Sequence, residues 1–241
     1  MRYHTLALKS HTFMFSSHPR HQNYERIALA SSSSSSSPSL SLTSSSSSYK
    51  VRFETLEGCK LGIARYPDFQ YNAHGGGGQG EGKVVNELQL EGEVEFDGEE
   101  ILVEFDVEGL YIPPLSYATT KFLGLSLPPF LKIEIVPEVF QGRIEKISGK
   151  VDLEFKAKFW FSVGTIYKAP PLLVATILTS EESAGEMRTG RGQRLDNAGR
   201  CRLVGVATVD PIDDLFMNTF LGLPTECLAD MNAMIALAQS A

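Results

Sequence analysis

The segment Val151–Val163, VDLEFKAKFWFSV, constrains this chain more than any other. Val151, Leu153, Phe155, Ala157, Phe159, Phe161 and Val163 are apolar; between them lie Asp152, Glu154, Lys156, Lys158, Trp160 and Ser162. Side chains alternate across the two faces of a strand, so the spacing predicts one strand with an apolar and a wet face. At about 3.3 Å per residue it would reach roughly 43 Å, far beyond the usual strand of about 5–6 residues. A strand that long bends across a curved sheet or wraps a barrel. Trp160 interrupts the wet face, a position suited to a ligand mouth or the underside of a helix.

The neighbouring segments carry the same period. Tyr49–Glu57 and Cys59–Tyr66 read as short strands around Gly58, and Val84 to Phe96 as a strand with an acidic outer face. Asp97-Gly98 is a hairpin turn signal leading into Ile101, Val103, Phe105 and Val107. Lys132–Val136 and Phe140–Ile147 are further strands, and Leu172–Thr179 is apolar on both faces, as in a covered strand. Met187–Leu195 and Cys201–Val209 flank an expected hairpin loop at Asp196-Asn197-Ala198-Gly199. Tyr117–Leu123 suits a short helix stopped by Gly124.

The C-terminal part reads as helical. Asp210 suits a cap, Pro211 a first helical position and Gly222 a stop. Thr225 caps a second expected helix with the stripe Leu228, Met231, Ile235 and Ala238. No strand–helix–strand alternation occurs. The expected fold is therefore mainly β: an antiparallel, barrel-like or curved sheet with two C-terminal α-helices against an open end or face.

The first 48 residues differ from the rest. Seventeen are serine, four are basic (Arg2, Lys9, Arg20, Arg26) and Glu25 is the sole acid. This is the composition of an organelle transit peptide, and the serine content favours the plastid, stroma or thylakoid-associated. Residues 49–241 then form a single domain with a net charge near −10, which repels nucleic acid at long range. Ile27–Ala30 is too short for a secretory core, and no apolar run is long enough for a membrane-spanning helix.

Composition also narrows the chemistry. Four of the five histidines lie in the leader, leaving His74, so no two-histidine metal site is expected and few His-based triads are available. Cys59, Cys201 and Cys227 lack CxxC spacing and read as buried free thiols. Gly75, Gly77 and Gly80 satisfy G-x-G-x-x-G, and Gly77–Lys83 satisfies G-x-x-x-x-G-K. However, Val84 replaces the metal-binding hydroxyl and the following residues have strand period, so a loop between strands is expected instead of a phosphate site. Asp210, Asp213 and Asp214 read as helix caps. No catalytic residue, metal ligand or cofactor is assigned.

Two sets of residues remain as candidates. Phe155, Phe159, Phe161, Trp160, Phe122 and Phe130 are placed for an apolar ligand such as a lipid or pigment. Phe122–Leu131, FLGLSLPPFL, is a lid, a membrane-touching loop, or a cover over an open sheet end. Arg188, Arg191, Arg194, Arg200 and Arg202 gather around the last hairpin and suit an anionic group or an acidic protein partner.

YKAPPLLVATILTSEES (Tyr167–Ser183) and CRLVGVATVDPIDD (Cys201–Asp214) resemble segments of an uncharacterised family of plant plastid proteins with cyanobacterial relatives. The resemblance implies plastid location and brings no activity or site residue. The leading functional expectation is a non-enzymatic plastid protein that binds an apolar ligand or a thylakoid-side surface. The alternatives are an assembly factor that holds a protein partner through the arginine hairpin, and an enzyme of unknown class.

Overall fold

The computed structural model describes residues 48–67, 69–85 and 99–240. Residues 1–47 of the expected leader, the expected strand beyond Val85, the Asp97-Gly98 turn and Asp68 lie outside the described residues. In chain order the elements are β1 (Ser48–Thr55), β2 (Cys59–Ile63), β3 (Phe69–Tyr71), β4 (Gly77–Val85), β5 (Glu100–Phe105), β6 (Thr120–Phe122), β7 (Leu125–Ser126), β8 (Leu131–Glu145) and β9 (Val151–Val163). They continue with β10 (Tyr167–Lys168), β11 (Leu172–Thr179), β12 (Glu182–Ala184), β13 (Thr189–Arg191), β14 (Arg200–Val209), α1 (Leu215–Leu221) and β15 (Thr225–Gln239).

One large antiparallel sheet contains a ring of eight strands, β1-β4-β5-β8-β9-β11-β14-β15, closed where β15 pairs with β1. It is not a regular barrel. β11 and β14 share a single backbone pair, Thr179 with Val204. β2, β3, β6 and β7 leave the ring as a side extension. β1 and β2 lie along the same edge of β15, one after the other, so they act as a single strand broken at Leu56–Gly58. Gly58 makes the break with a positive φ of 78°.

The predicted long strand is present with the predicted bounds. β9 turns its apolar set inward and pairs with β8 over nearly its whole length. The two strands expected at Lys132–Val136 and Phe140–Ile147 are one strand, β8, with a bulge between Pro137 and Val139. Proline has no N–H for the ladder, and the extra residue, Glu138, points outward to Lys156 and Lys158. Ile101, Ile144, Val151, Leu153, Leu203 and Ile235 fill the interior with no exposed surface or almost none. Each such burial stabilises by about 1.5–3 kcal/mol.

Four expectations are corrected. The glycine-rich stretch is a loop only through residues 72–76, which link β3 to β4; from Gly77 onward it is strand β4. Its inward positions Gly78, Gly80 and Gly82 pair with Phe53, Val51 and Tyr49 on one side; Gly80 and Gly82 pair with Phe105 and Val103 on the other. Large neighbours occupy the room that side chains on β4 would need: a Cβ at Gly82 would lie 2.8 Å from Ile101 and 3.2 Å from Val51. Secondly, Tyr117–Leu123 is not helical. Thr120–Phe122 is β6, and Leu123-Gly124 is the hairpin turn, both residues with positive φ. Thirdly, β11 is not covered on both faces, since Leu173 and Ile177 are exposed.

The fourth correction concerns the C-terminus, which has one short helix and not two. α1 begins after Asp214, whose carboxylate accepts from the Met217 N–H; Asp210 and Pro211 precede it. Gly222 ends it in the left-handed conformation, as expected. The second expected helix is β15. Ala, Met and Leu favour a helix, but β1, β2 and β14 each need an edge partner, and Cys227, Ala229, Met231, Ala233 and Ile235 provide an apolar face at period two. Sheet pairing outweighs local propensity here.

The glycine face gives a direct check. Gly82→Val forces a branched side chain against Ile101 and Val51 and should destabilise the fold by about 1–3 kcal/mol in urea denaturation, as overpacking does. Gln79→Val, on the exposed face of the same strand, should change stability by less than about 0.5 kcal/mol.

Candidate functional site

Three hydrophobic clusters fill the ring and its extension. The largest is built around Phe53, Phe105 and Phe140, which pack edge to face or stacked with centroids 4.5–5.9 Å apart. The second lies beneath α1 around Phe161 and Met217, and the third under the side extension around Tyr71 and Leu115. An apolar cavity of about 60 Å³ sits where the three meet, bounded by Phe155, Phe159, Val174, Ala207, Ala229 and Tyr71 among others. A void of that size costs about 1.4 kcal/mol, taking roughly 24 cal/mol per Å³. It is also far smaller than the roughly 300–1,000 Å³ of sites that engulf a ligand.

Three hydroxyls around the cavity are occupied. Thr55 Oγ1 donates to Ala73 O at 2.5 Å, Thr176 Oγ1 to Val206 O at 2.8 Å, and the Tyr71 hydroxyl to Pro113 O. The thiols of Cys59, Cys201 and Cys227 are free. Burial pushes Cys201 up to about 12 and Cys227 up to about 11, and raises Cys59. All three stay protonated and weakly nucleophilic at neutral pH.

The six candidate apolar residues separate into five environments. Phe155 and Phe159 border the cavity. Phe161 packs against Tyr167 and Phe220 below α1. Trp160 faces outward under Lys168, whose Nζ lies 4.7 Å from the ring centroid, so neither a helix nor the cavity mouth covers it. Phe122 packs on Phe69 and Tyr66. Phe130 packs little and is 71% exposed.

Phe130 belongs to an apolar crown that the sequence reading captured only in part. Strand register places the β6–β7 turn, the start of β8, the β9–β10 turn and α1 at one end of the ring. Leu123, Leu125, Phe130, Ile166, Leu215 and Phe216 project there, each more than half exposed. Aromatic contacts connect parts of the crown: Tyr167 meets Phe216, Phe216 stacks on Phe220, Phe220 meets Tyr66, and Tyr66 meets Phe122. The Gly164 N–H donates to Phe130 O at 2.8 Å. Arg65 donates to the carbonyls of Thr219 and Phe220 at the end of α1. The Tyr167 hydroxyl donates to Asp214 Oδ2 at 2.6 Å at its start, and this bond holds the Asp214 carboxyl below its usual range. The end with the exposed hydrocarbon is thus firmly braced.

The five arginines do not form one site. Arg202 makes a two-pronged pair with Asp230, and Arg194 binds Glu181 at 2.5 Å. Arg188 runs under the β12–β13 hairpin toward Gly62. Arg191 and Arg200 are exposed, with no ion pair among the described residues. His74 is exposed and its backbone N–H bonds Asn72. Among the described residues no group of three or more His, Cys, Asp or Glu converges.

Glu226 was missed, because its spacing resembles any polar residue in the expected helix. It is 6% exposed and accepts backbone N–H bonds from Glu186, Met187 and Arg188 at 2.6–2.8 Å. These clasp the β12–β13 hairpin onto the outer face of β14 and β15. No family model, curated protein or solved structure matches the chain.

The Met187 and Glu186 N–H groups hold the Glu226 carboxyl below the usual glutamate range. Its contribution is therefore present above that range and lost as pH falls through the depressed folded value. Hydrogen exchange at Glu186–Arg188 should accelerate on acidification relative to the β8–β9 amides, after correction for intrinsic rates. Glu226→Gln should accelerate it at pH 7 by on the order of tenfold or more.

Proposed function

We propose that this is a non-enzymatic plastid protein that docks on a thylakoid-side membrane surface through the crown at the α1 end of the ring. The observation that carries the reading is the convergence of six large, exposed apolar side chains from four segments. Soluble surfaces scatter such residues singly, and a contiguous group marks an interaction face. Charges near the crown are mixed: Arg65 sits at one end of α1 and Asp214 at the other, while Lys132 pairs with Glu134. Docking would then rest on hydrocarbon insertion, not on attraction to anionic lipid. The serine-rich leader and the resemblance of Tyr167–Ser183 and Cys201–Asp214 to plastid proteins support the location.

Arg191 and Arg200, exposed and unpaired among the described residues, support a second reading, an acidic protein partner at the hairpin. The two separate by experiment. Full-length protein should float with vesicles of uncharged galactolipid and be little affected by salt. Leu125→Glu with Phe130→Glu should reduce the bound fraction at least about tenfold, since each side chain is worth about 1.5–3 kcal/mol when fully buried. Arg191→Glu with Arg200→Glu should leave flotation unchanged. Wild-type protein that stays out of the vesicle fraction at every lipid concentration would overturn the docking reading.

A further inference from the structure

Most of the wall around the central cavity is sheet; Ala73 and the segment 110–112 lie outside it. β5 pairs with β8 only through Glu100–Glu104 opposite Gln141–Glu145. Above that level, the chain from Val107 to Thr119 crosses the gap as a strap. Two isolated backbone pairs pin it, Gly77 with Tyr111 and Leu115 with Ile133. Pro113 and Pro114 lie between the pins and lack the N–H groups that would zip the strap to a neighbour. The Tyr71 hydroxyl holds Pro113 O from inside.

Leu110, Tyr111 and Ile112 of this strap line the cavity. Of the residues around the cavity, Tyr111 alone is exposed, which places the mouth there. The opposite wall is made of small residues, Gly205, Ala207 and Ala229. Several inward-facing side chains, including Phe155, Phe159 and Met231, stay half-buried because they border the void instead of one another. Close-packed interiors normally fill such space. The lining hydroxyls of Thr55, Tyr71 and Thr176 already donate to backbone carbonyls, which leaves the Cys227 thiol and the hydroxyl of the exposed Tyr111 as its remaining polar side-chain groups.

We infer that the cavity is the inner end of a site for a single unbranched acyl chain, which enters beside Tyr111 as the strap Leu110–Leu115 lifts. The chain class follows from the largely apolar lining and from the lipid surface against which the crown docks; to that extent the inference rests on the docking reading. The polar head stays outside, since nothing in the lining replaces its water.

Titration of the full-length protein with cis-parinaric acid, a fluorescent fatty acid, tests this without a membrane. The wild type should give a saturable fluorescence rise with one site. Ala229→Leu fills the void and should weaken binding at least tenfold with the thermal midpoint unchanged or raised. If that variant is not folded, Ala207→Val takes its place with the same expectation. Tyr71→Phe frees the strap and should speed uptake several-fold. Leu125→Glu with Phe130→Glu should leave parinarate binding intact, and Ala229→Leu should leave vesicle flotation intact, so each reading fails by its own assay. No saturable binding by the wild type, or wild-type affinity in folded variants with the void filled, overturns the site. An unchanged uptake rate in Tyr71→Phe overturns the strap as its gate.

Discussion

The structure depends on the backbone pairing of β15. This strand binds β14 along one edge through ten residue pairs, and along the other edge β2 through four and β1 through seven. Without it, β1, β2 and β14 would each present an open row of N–H and C=O groups. The same strand sets the shape of the interior. Ala229 and Ala233 keep its inner face thin, so the rings of Phe53, Phe140 and Phe155 reach across the lumen and leave the central void. Its outer face carries Glu226 and Asp230, which hold the β12–β13 hairpin and Arg202.

The two ends of the ring differ in surface chemistry. The end away from α1 carries the β8–β9 turn and ion pairs such as Lys146 with Glu99 and Lys150 with Asp152. The α1 end shows hydrocarbon on a rigid frame. Asp214 and Arg65 fix the two ends of α1, so Leu215 and Phe216 stand in the open without the helix folding back over them. The cavity and strap lie between these ends, at the level where the sheet splits into the ring and its extension. A membrane-docking crown and an acyl-chain cavity would be two uses of one apolar column.

Much of this was legible in the sequence. The period of Val151–Val163 located β9 and its inward face, and the Gly149 turn separated it from β8. Local strand chemistry is strongly encoded wherever one face is buried. The failures have physical causes. Thr225–Gln239 is rich in Ala, Met and Leu, so its local preference is helical, and only the missing partners of β1 and β14 make it a strand. Gly78, Gly80 and Gly82 look like a flexible loop until Phe105 and Ile101, distant in sequence, require their space. Phe130 stands out in the sequence as part of an apolar, proline-bounded run, but Ile166 and Leu215 come to the same end of the ring only through strand register. The arginines clustered in sequence, yet Asp230 and Glu181 neutralise two of them. Glu226 had no local signal, because its ligands are backbone N–H groups of another segment.

Because ring closure, the thin wall and the position of the crown all follow from β15, the conformation of Thr225–Gln239 is the most direct test. Backbone NMR of the full-length protein would settle it. The account predicts Cα secondary shifts of strand sign across the segment, and cross-strand backbone NOEs linking Ile235 to Phe53 and Ala233 to Cys201, which are paired in the sheet. Helical shifts from Leu228 to Ala238, with those NOEs missing, would contradict it.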